Sequence, residues 1–416
     1  MFSVPRTAWL RLAGLLIVLG FAVWWFFRGS QIVASDTTLP EFASPRTTQP
    51  EMEKTTMEKK TFSSPLAGRW FPADPRELAS DIQSYIDTAS SEPLPDVIAL
   101  ILPHAGYVYS GRAAAAGLKT VQNKSFKRVI VMGPSHRAFL ENAACVPDLT
   151  HFSTPLGEVA LDQEFAEKLR SDEHFRAIPN VFEYEHSVQI EVPLLQKVLG
   201  TFALVPIVVG QVDAEAAQQM AQVLQQYIDQ DTLVVVSSDF THYGPNYGYM
   251  PFHDNEAENL KALDMGAFAF IKKKDATGFL GYIRETGATI CGASPIAILL
   301  NMLPDNTSVR LVQYDTSGAL MHDYTNSVSY LSIAVTGKWH KNGAETPSTQ
   351  IAEKTEVLSE DDKRRLLELA RKTLVYAFDH RETPTPEQLG IELTENMKQV
   401  MGAFVTIKKH GELRGC

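Results

Sequence analysis

The sequence has little cysteine and no surplus of positive charge. Its three cysteines, Cys145, Cys291 and Cys416, are widely spaced and form no CxxC pair, which argues against a disulfide-stapled fold. Lysine and arginine together number 38, against 49 aspartates and glutamates, and the formal net charge is −11. No basic stripe interleaved with aromatic residues occurs, so we expect no nucleic-acid binding.

A long apolar run stands near the start of the chain. Residues 12–27 contain no charged side chain and end in the aromatic cluster WWFF. With residues 7–11 the run reaches about 20 residues, enough to cross a bilayer, and terminal aromatic residues are typical of a membrane interface. We therefore predict a single-pass transmembrane signal-anchor at 1–28, an extracytoplasmic globular part and a flexible linker at 29–62. A cleaved signal peptide, cut near residues 33–35, is the alternative.

The remainder of the chain has the composition and pattern of a globular α/β protein. Its length of 416 residues allows two or three domains, and an apolar content of 44% is ample for a sizeable core. Short apolar segments alternate with amphipathic segments of helical period, which predicts a sheet with helices on both faces.

Three apolar segments lead into residues that bind metals or transfer protons. VIALILPHAG contains His104, RVIVMGPSH ends at His136, and LVVVSSDFTHYG carries Asp239 and His242. In an open parallel sheet the functional site lies beyond the carboxyl ends of the strands. The repetition of this design predicts that the four side chains share one site.

Two further residues are candidates for the same site. Cys291 lies in a glycine-flanked turn before a predicted helix, where a helix N-terminus favours the thiolate. His186 lies at the start of another predicted helix, and that helix is expected to kink at Pro193. A lone histidine or cysteine is more often a structural residue, so the joint strand-end placement carries the prediction.

Several motifs in this region resemble the Memo family, which is protein B of the AmmeMemoRadiSam system. They occur in family order across the predicted domain, at residues 63–338. The motifs are SPLAGRWFP (64–72), PHAGYVYSG (103–111), GPSH (133–136), EHSVQIEVPLL (185–195), SSDFTHYG (237–244) and ATICGASPI (288–296).

The resemblance implies a fold, a metal and site residues. The family is similar to class III extradiol dioxygenases, which implies a three-layer α/β/α sandwich with a mostly parallel central sheet. It implies His104, His136 and Cys291 as ligands of iron or copper, with zinc less expected. Cys291 stands where a His-His-carboxylate iron site would have a carboxylate. We expect Asp239 and His242, together with His186, to be the catalytic residues.

The carboxyl-terminal part of the chain resembles a second family. After a predicted linker at 339–356, the amphipathic segment LSEDDKRRLLELARKTLVYAF and the hairpin-like GAFVTIKKHGELRGC are similar to the start of an AMMECR domain, protein A of the same system. Residues 357–416 would form only the N-terminal, α+β part of that domain, because the chain stops inside the family motif at LRGC.

Three functions are compatible with these features. The first is a membrane-tethered, metal-dependent oxidoreductase that acts with a radical-SAM partner on an unknown small-molecule or peptide substrate. The second is a non-catalytic module that binds a peptide or partner in the same pocket. The third is a metal-dependent hydrolase in which Asp239 or His242 is the base.

Overall fold

The computed structural model describes residues 58–339, 359–380, 383–394, 397, 407–409 and 412–415. The predicted transmembrane segment 1–28 lies outside these residues. Within the described ranges no helix is both long and apolar enough to cross a bilayer. The two longest of them, Glu256–Lys273 and Glu360–His380, both carry many charged side chains. The described ranges therefore give no support to the prediction of a single-pass membrane protein with an extracytoplasmic globular part.

The described residues form a mixed α/β structure. The strands are β1 (Thr61–Ser63), β2 (Val97–Leu102), β3 (Arg128–Pro134), β4 (Ala144–Cys145), β5 (His151–Thr154), β6 (Gly157–Ala160), β7 (Phe175–Arg176), β8 (Ala203–Val209), β9 (Thr232–Ser237), β10 (His242–Tyr243), β11 (Ser308–Thr316), β12 (Ser327–Thr336), β13 (Ile407–Lys409) and β14 (Glu412–Gly415). The helices are α1 (Pro75–Thr88), α2 (Tyr107–Lys119), α3 (Gln163–Arg170), α4 (Glu191–Leu199), α5 (Ala214–Gln225), α6 (Glu256–Lys273), α7 (Ala276–Thr286), α8 (Ala293–Met302), α9 (Ser317–Met321) and α10 (Glu360–His380).

The main sheet is mixed, so the predicted mostly parallel sheet is wrong. Its nine strands lie in the order β10-β12-β2-β9-β3-β8-β4-β7, and β11 also pairs with β12. Strands β2, β9, β3 and β8 are parallel, whereas β12 is antiparallel to β2, β10 and β11, and β4 is antiparallel to β8. Strands β11 and β12 are antiparallel because only a short connection through α9 joins them, and a parallel pair would need a longer crossover.

The core lies on both faces of this sheet. Along β9 the side chains alternate, so that Val234 and Val236 face one apolar cluster and Leu233 and Val235 face the other. Helices α3, α5, α6, α7 and α8 cover the first face, and α1, α2 and α4 cover the second. The sheet is thereby rigidly held, which suits it to present side chains at the ends of its strands.

Two smaller sheets accompany the main one. Strands β1, β5 and β6 form a three-stranded sheet, and β13 and β14 form an antiparallel pair. The helix and the hairpin that were predicted for the carboxyl-terminal part are therefore present as α10 and as β13 with β14. Their assignment to an AMMECR domain stays a prediction.

Candidate metal centre

The central parallel strands bring the predicted site residues to one edge of the sheet. Strand β9 lies between β2 and β3 and is parallel to both. His104 follows the end of β2 by two positions, Asp239 follows β9 by two, and His136 follows β3 by two. The three residues lie close together: the His104 and His136 ring centroids are 5.3 Å apart, and the His104 backbone N–H donates to Asp239 Oδ1.

Cys291 reaches this edge from a distant part of the chain. It lies in the turn before α8, where the Gly292 backbone packs so closely on Ser238 that an added Cβ would clash. The Cys291 Sγ atom is 3.2 Å from the His104 Nε2 atom. One donor atom from each of His104, His136 and Cys291 lies within 4.8 Å of the other two.

His104 is buried and held in one orientation. Its Nδ1 atom is 2.9 Å from the Ser237 Oγ atom, and its backbone N–H donates to Asp239 Oδ1 at 2.8 Å. Burial, with a smaller effect of nearby His136, lowers the pKa of His104 well below its usual value. The neutral ring that results is the form that binds metals.

His136 is oriented by a residue that sequence reasoning missed, the buried Glu185. The Glu185 carboxylate lies 2.9 Å from His136 Nδ1 and accepts the His136 backbone N–H at 2.5 Å. It also accepts the backbone N–H groups of His186 and Ser187. Burial opposes the charge of Glu185, but these hydrogen bonds outweigh it and lower its pKa to about 2. Although Glu185, His136 and His186 could together hold a cation, this carboxylate is already saturated with hydrogen-bond donors.

His186 packs beside the candidate ligands. Its ring lies between that of Trp70, with centroids 4.4 Å apart, and that of His136, at 4.6 Å. Burial and the proximity of His104 lower its pKa to about 3, so the ring is neutral. The prediction that His186 starts a helix is wrong: α4 begins at Glu191, and Pro193 is tolerated in its first turn without a kink.

Asp239 and His242 line the same edge, as predicted. Burial raises the pKa of Asp239, an effect that the nearby His242 opposes. His242 is tied to Thr289, whose carbonyl lies 2.9 Å from its Nδ1 atom and whose hydroxyl accepts its backbone N–H. The Tyr247 ring packs against the edge of the His242 ring at 5.2 Å between centroids.

The three candidate ligands fit a soft or borderline metal ion. Metal–ligand bonds of about 2.0–2.3 Å place two donor atoms at most about 4.6 Å apart. The donor atoms here lie within 4.8 Å of one another, so only small side-chain movements would be needed to bind an ion. Burial, reinforced by nearby Asp239, raises the pKa of the Cys291 thiol well above its usual value. A bound cation would therefore have to displace a proton from this thiol.

Two buried carboxyl groups that the sequence did not reveal, those of Glu191 and Asp264, hydrogen-bond to residues next to the site. The Ser237 hydroxyl donates to Glu191 Oε1 at 2.9 Å, and Glu191 is fully buried. Burial raises the pKa of Glu191 to about 8, against the opposing effect of the Ser237 hydrogen bond. The loop that carries Asp239 and His242 is fixed by buried Asp264, which accepts both the backbone N–H and the hydroxyl of Thr241.

Comparisons with known proteins match the part of the chain that contains this arrangement. The family model described as Memo-like protein matches residues 63–334. The protein memo-1 homolog of Caenorhabditis elegans is 31% identical over 287 residues, which cover 65% of this chain and 81% of that protein.

Two relatives from other groups of organisms are similar over nearly their whole length. Protein MEMO1 of Homo sapiens is 29% identical over 285 residues, covering 65% of this chain and 95% of that protein. A MEMO1 family protein of Thermoplasma volcanium is 30% identical over 271 residues, covering 64% and 96%. The matched region contains every residue of the candidate metal centre. The chain therefore belongs to the Memo family.

Proposed function

We propose that the protein is a metal-dependent oxidoreductase that binds iron or copper through His104, His136 and Cys291. The observation that carries the proposal is the meeting of two imidazoles and one thiol, with donor atoms within 4.8 Å of one another, at the ends of a buried sheet. Imidazole and thiolate together favour copper, iron and zinc over magnesium or calcium. The bound metal would supply the one-electron chemistry that side chains lack.

The residues around the donors support binding and proton transfer. Hydrogen bonds donated by Nδ1–H orient the rings of His104 and His136 and leave their Nε2 atoms for the cation. His242 donates from Nδ1 to the Thr289 carbonyl, which leaves its Nε2 atom as a base. Asp239, with its raised pKa, is suited to hold and release a proton beside the ligands.

Metal content tests this proposal directly. The full-length protein, purified without added metal and again after anaerobic loading with ferrous or cuprous ion, should hold nearly one metal ion per chain. His104→Ala and Cys291→Ala should each lose most of that metal while remaining folded. His151→Ala is a matched control, because His151 lies in β5 and its ring hydrogen-bonds to Thr150. Unchanged metal content in both ligand variants would refute the ligand assignment.

A metal-dependent hydrolase is the second candidate. The observation that favours it is the bond from His242 Nδ1 to the Thr289 carbonyl, since the described residues offer no hydrogen-bond partner to Nε2, which could accept a proton from water. A hydrolase of this kind would prefer zinc and would need neither oxygen nor a reductant. Stoichiometric zinc in the purified protein, with no retention of iron or copper, would favour hydrolysis over redox chemistry.

A non-catalytic binding module is the third candidate. Three exposed aromatic side chains lie near residues of the centre along the chain: Tyr109 follows His104, Phe139 follows His136, and Tyr184 precedes Glu185. Exposed apolar groups around a pocket are typical of a surface that binds a peptide or partner. This function predicts that the pocket binds its ligand equally well with and without metal.

The family resemblance also suggests partners. We propose that the carboxyl-terminal residues 357–416 belong to an AMMECR domain and that the protein acts with a radical-SAM protein on an unknown substrate. The support is the sequence similarity of that region and the presence of α10 with the β13–β14 pair. Co-purification of the full chain with a radical-SAM protein from the same cells would test the partnership.

A further inference from the structure

A chain of hydrogen bonds runs from His104 into the interior of the protein. The Ser237 Oγ atom is 2.9 Å from His104 Nδ1 on one side and 2.9 Å from Glu191 Oε1 on the other. All three residues are buried. The second carboxyl oxygen of Glu191, Oε2, is buried and has no hydrogen-bond partner among the described residues. Among the described residues, the side chain of Glu191 therefore makes a single hydrogen bond, the one from Ser237.

The direction of this chain follows from the number of protons available. A serine hydroxyl has one proton, and Ser237 donates it to Glu191 Oε1. Its oxygen can then only accept from His104, so the proton of the neutral ring must lie on Nδ1. The opposite nitrogen, Nε2, then carries no proton, and it lies 3.2 Å from Cys291 Sγ. Glu191 Oε1 accepts this bond when the group is ionised, and also when it is neutral with its proton on Oε2. A proton on Oε1 would reverse the chain, and wild-type His104 would then show the Nε2–H form.

We propose that Glu191 is a positioning residue that, through Ser237, selects the Nδ1–H tautomer of His104 and so keeps Nε2 free to bind a metal ion. The inference rests on the proposed metal site, which it deepens. Without an acceptor at position 191, the Ser237 hydroxyl would turn and donate to His104 Nδ1. The ring proton would then lie on Nε2, at the place where the metal ion should bind.

A competing explanation is that the Ser237 backbone alone holds the tautomer. That backbone also favours the protonated form of His104 and so raises its pKa, against the larger effect of burial. The two explanations differ in what they predict for Glu191: only the hydroxyl relay needs it.

The tautomer is measured in the metal-free, full-length protein by nitrogen-15 NMR of the histidine rings. His104→Gln identifies the His104 signals. Wild type and Glu191→Gln, in which the amide oxygen still accepts from Ser237, should both show the Nδ1–H form. Glu191→Leu, which offers no acceptor, should show the Nε2–H form. An Nδ1–H ring in Glu191→Leu would overturn the proposal, and this result does not depend on whether metal binds.

Metal affinity gives a second readout with cuprous ion as the probe. Glu191→Leu should bind it about 10- to 100-fold more weakly than wild type, as expected for loss of support behind a ligand, whereas Glu191→Gln should bind it almost normally. Adding Ser237→Ala to Glu191→Leu should restore part of the affinity, because the hydroxyl that donates in the wrong direction is then absent. A further loss in the double variant would show that Glu191 has only a structural role. If wild type binds no metal while the tautomer shifts as expected, the proposed function fails and the relay stands.

Discussion

Glu185 and Glu191 are two buried glutamates that support neighbouring histidines, and they differ in charge. Glu185 accepts hydrogen bonds from His136 and from two further backbone N–H groups, and its pKa falls to about 2. Glu191 accepts one bond, from Ser237, and its pKa rises to about 8. Burial penalises both charges, so the number of donors decides which carboxyl is ionised.

The difference has a consequence for how each histidine is oriented. His136 is held by direct contact with an ionised carboxylate, whereas His104 is held through a hydroxyl by a carboxyl that is largely neutral at neutral pH. The first device should be strong and insensitive to pH. The orientation of His104 depends on whether the Ser237 hydroxyl donates its proton to Glu191 or to His104.

Substituting the two glutamates by leucine should produce the largest contrast. Glu185→Leu leaves several buried N–H groups without an acceptor and should lower the free energy of unfolding by about 4 kcal/mol. Glu191→Leu removes an unpartnered buried oxygen and should change it by less than about 1 kcal/mol. Urea unfolding at pH 5, where the raised pKa of Glu191 still costs little stability, measures both values. Equal losses would show that the two carboxyls are not held differently.

The dependence of stability on pH should sharpen the contrast. The pKa of Glu191 is raised from 4.5 to about 8 in the folded protein, so the unfolded chain releases this proton first. Stability is therefore lost as pH rises from about 4.5 to 8, by on the order of 3 kcal/mol. Glu191→Gln should remove that loss, seen as a smaller difference between unfolding free energies at pH 5 and pH 8.

Glu185 should behave in the opposite way, and it serves as the control for that measurement. Its pKa is lowered from 4.5 to about 2, so its contribution is present above pH 4.5 and is lost as pH falls toward 2. Glu185→Gln should therefore leave the change between pH 5 and pH 8 as in wild type. A change in that window would contradict the assignment of the two protonation states.

The smallest of these effects concerns metal affinity in conservative variants. Glu185→Gln keeps one acceptor oxygen but loses the charge beside His136, and it should weaken cuprous ion binding about tenfold. Glu191→Gln should leave the affinity within about threefold of wild type, since its acceptor oxygen is retained. Competition with a chelator of known affinity compares the two. A greater loss in Glu191→Gln would reverse the roles assigned here.

Much of the candidate site could be predicted because it follows strand ends. His104, His136 and Asp239 each stand two positions beyond a buried apolar strand, and parallel strands present their ends together. The direction of β12 could not be predicted, since its apolar pattern fits either orientation and α9 decides the pairing. The start of α4 was missed because Pro193 was expected in the interior of a longer helix, where proline causes a kink. In the first turn of a helix, where Pro193 lies, proline is tolerated.

The supporting glutamates were hidden for a different reason. Glu191 is the first residue of α4, where an acidic side chain usually means a solvated residue that favours the helix dipole. Its burial depends on packing against Ser237, 46 positions away in sequence. Glu185 likewise acts on a residue 49 positions away. The available signal was that both glutamates lie in EHSVQIE, part of a motif that resembles the Memo family.

Cys291 and His104 are 187 positions apart along the chain, which bears on when the protein could first bind the proposed metal ion. During synthesis, the two imidazoles leave the ribosome long before the thiol does. A nascent chain that ends before α8 has no complete set of donors, and domains generally fold as units once their sequence has emerged. If His104, His136 and Cys291 bind a metal ion as proposed, its uptake would have to follow the synthesis of Cys291.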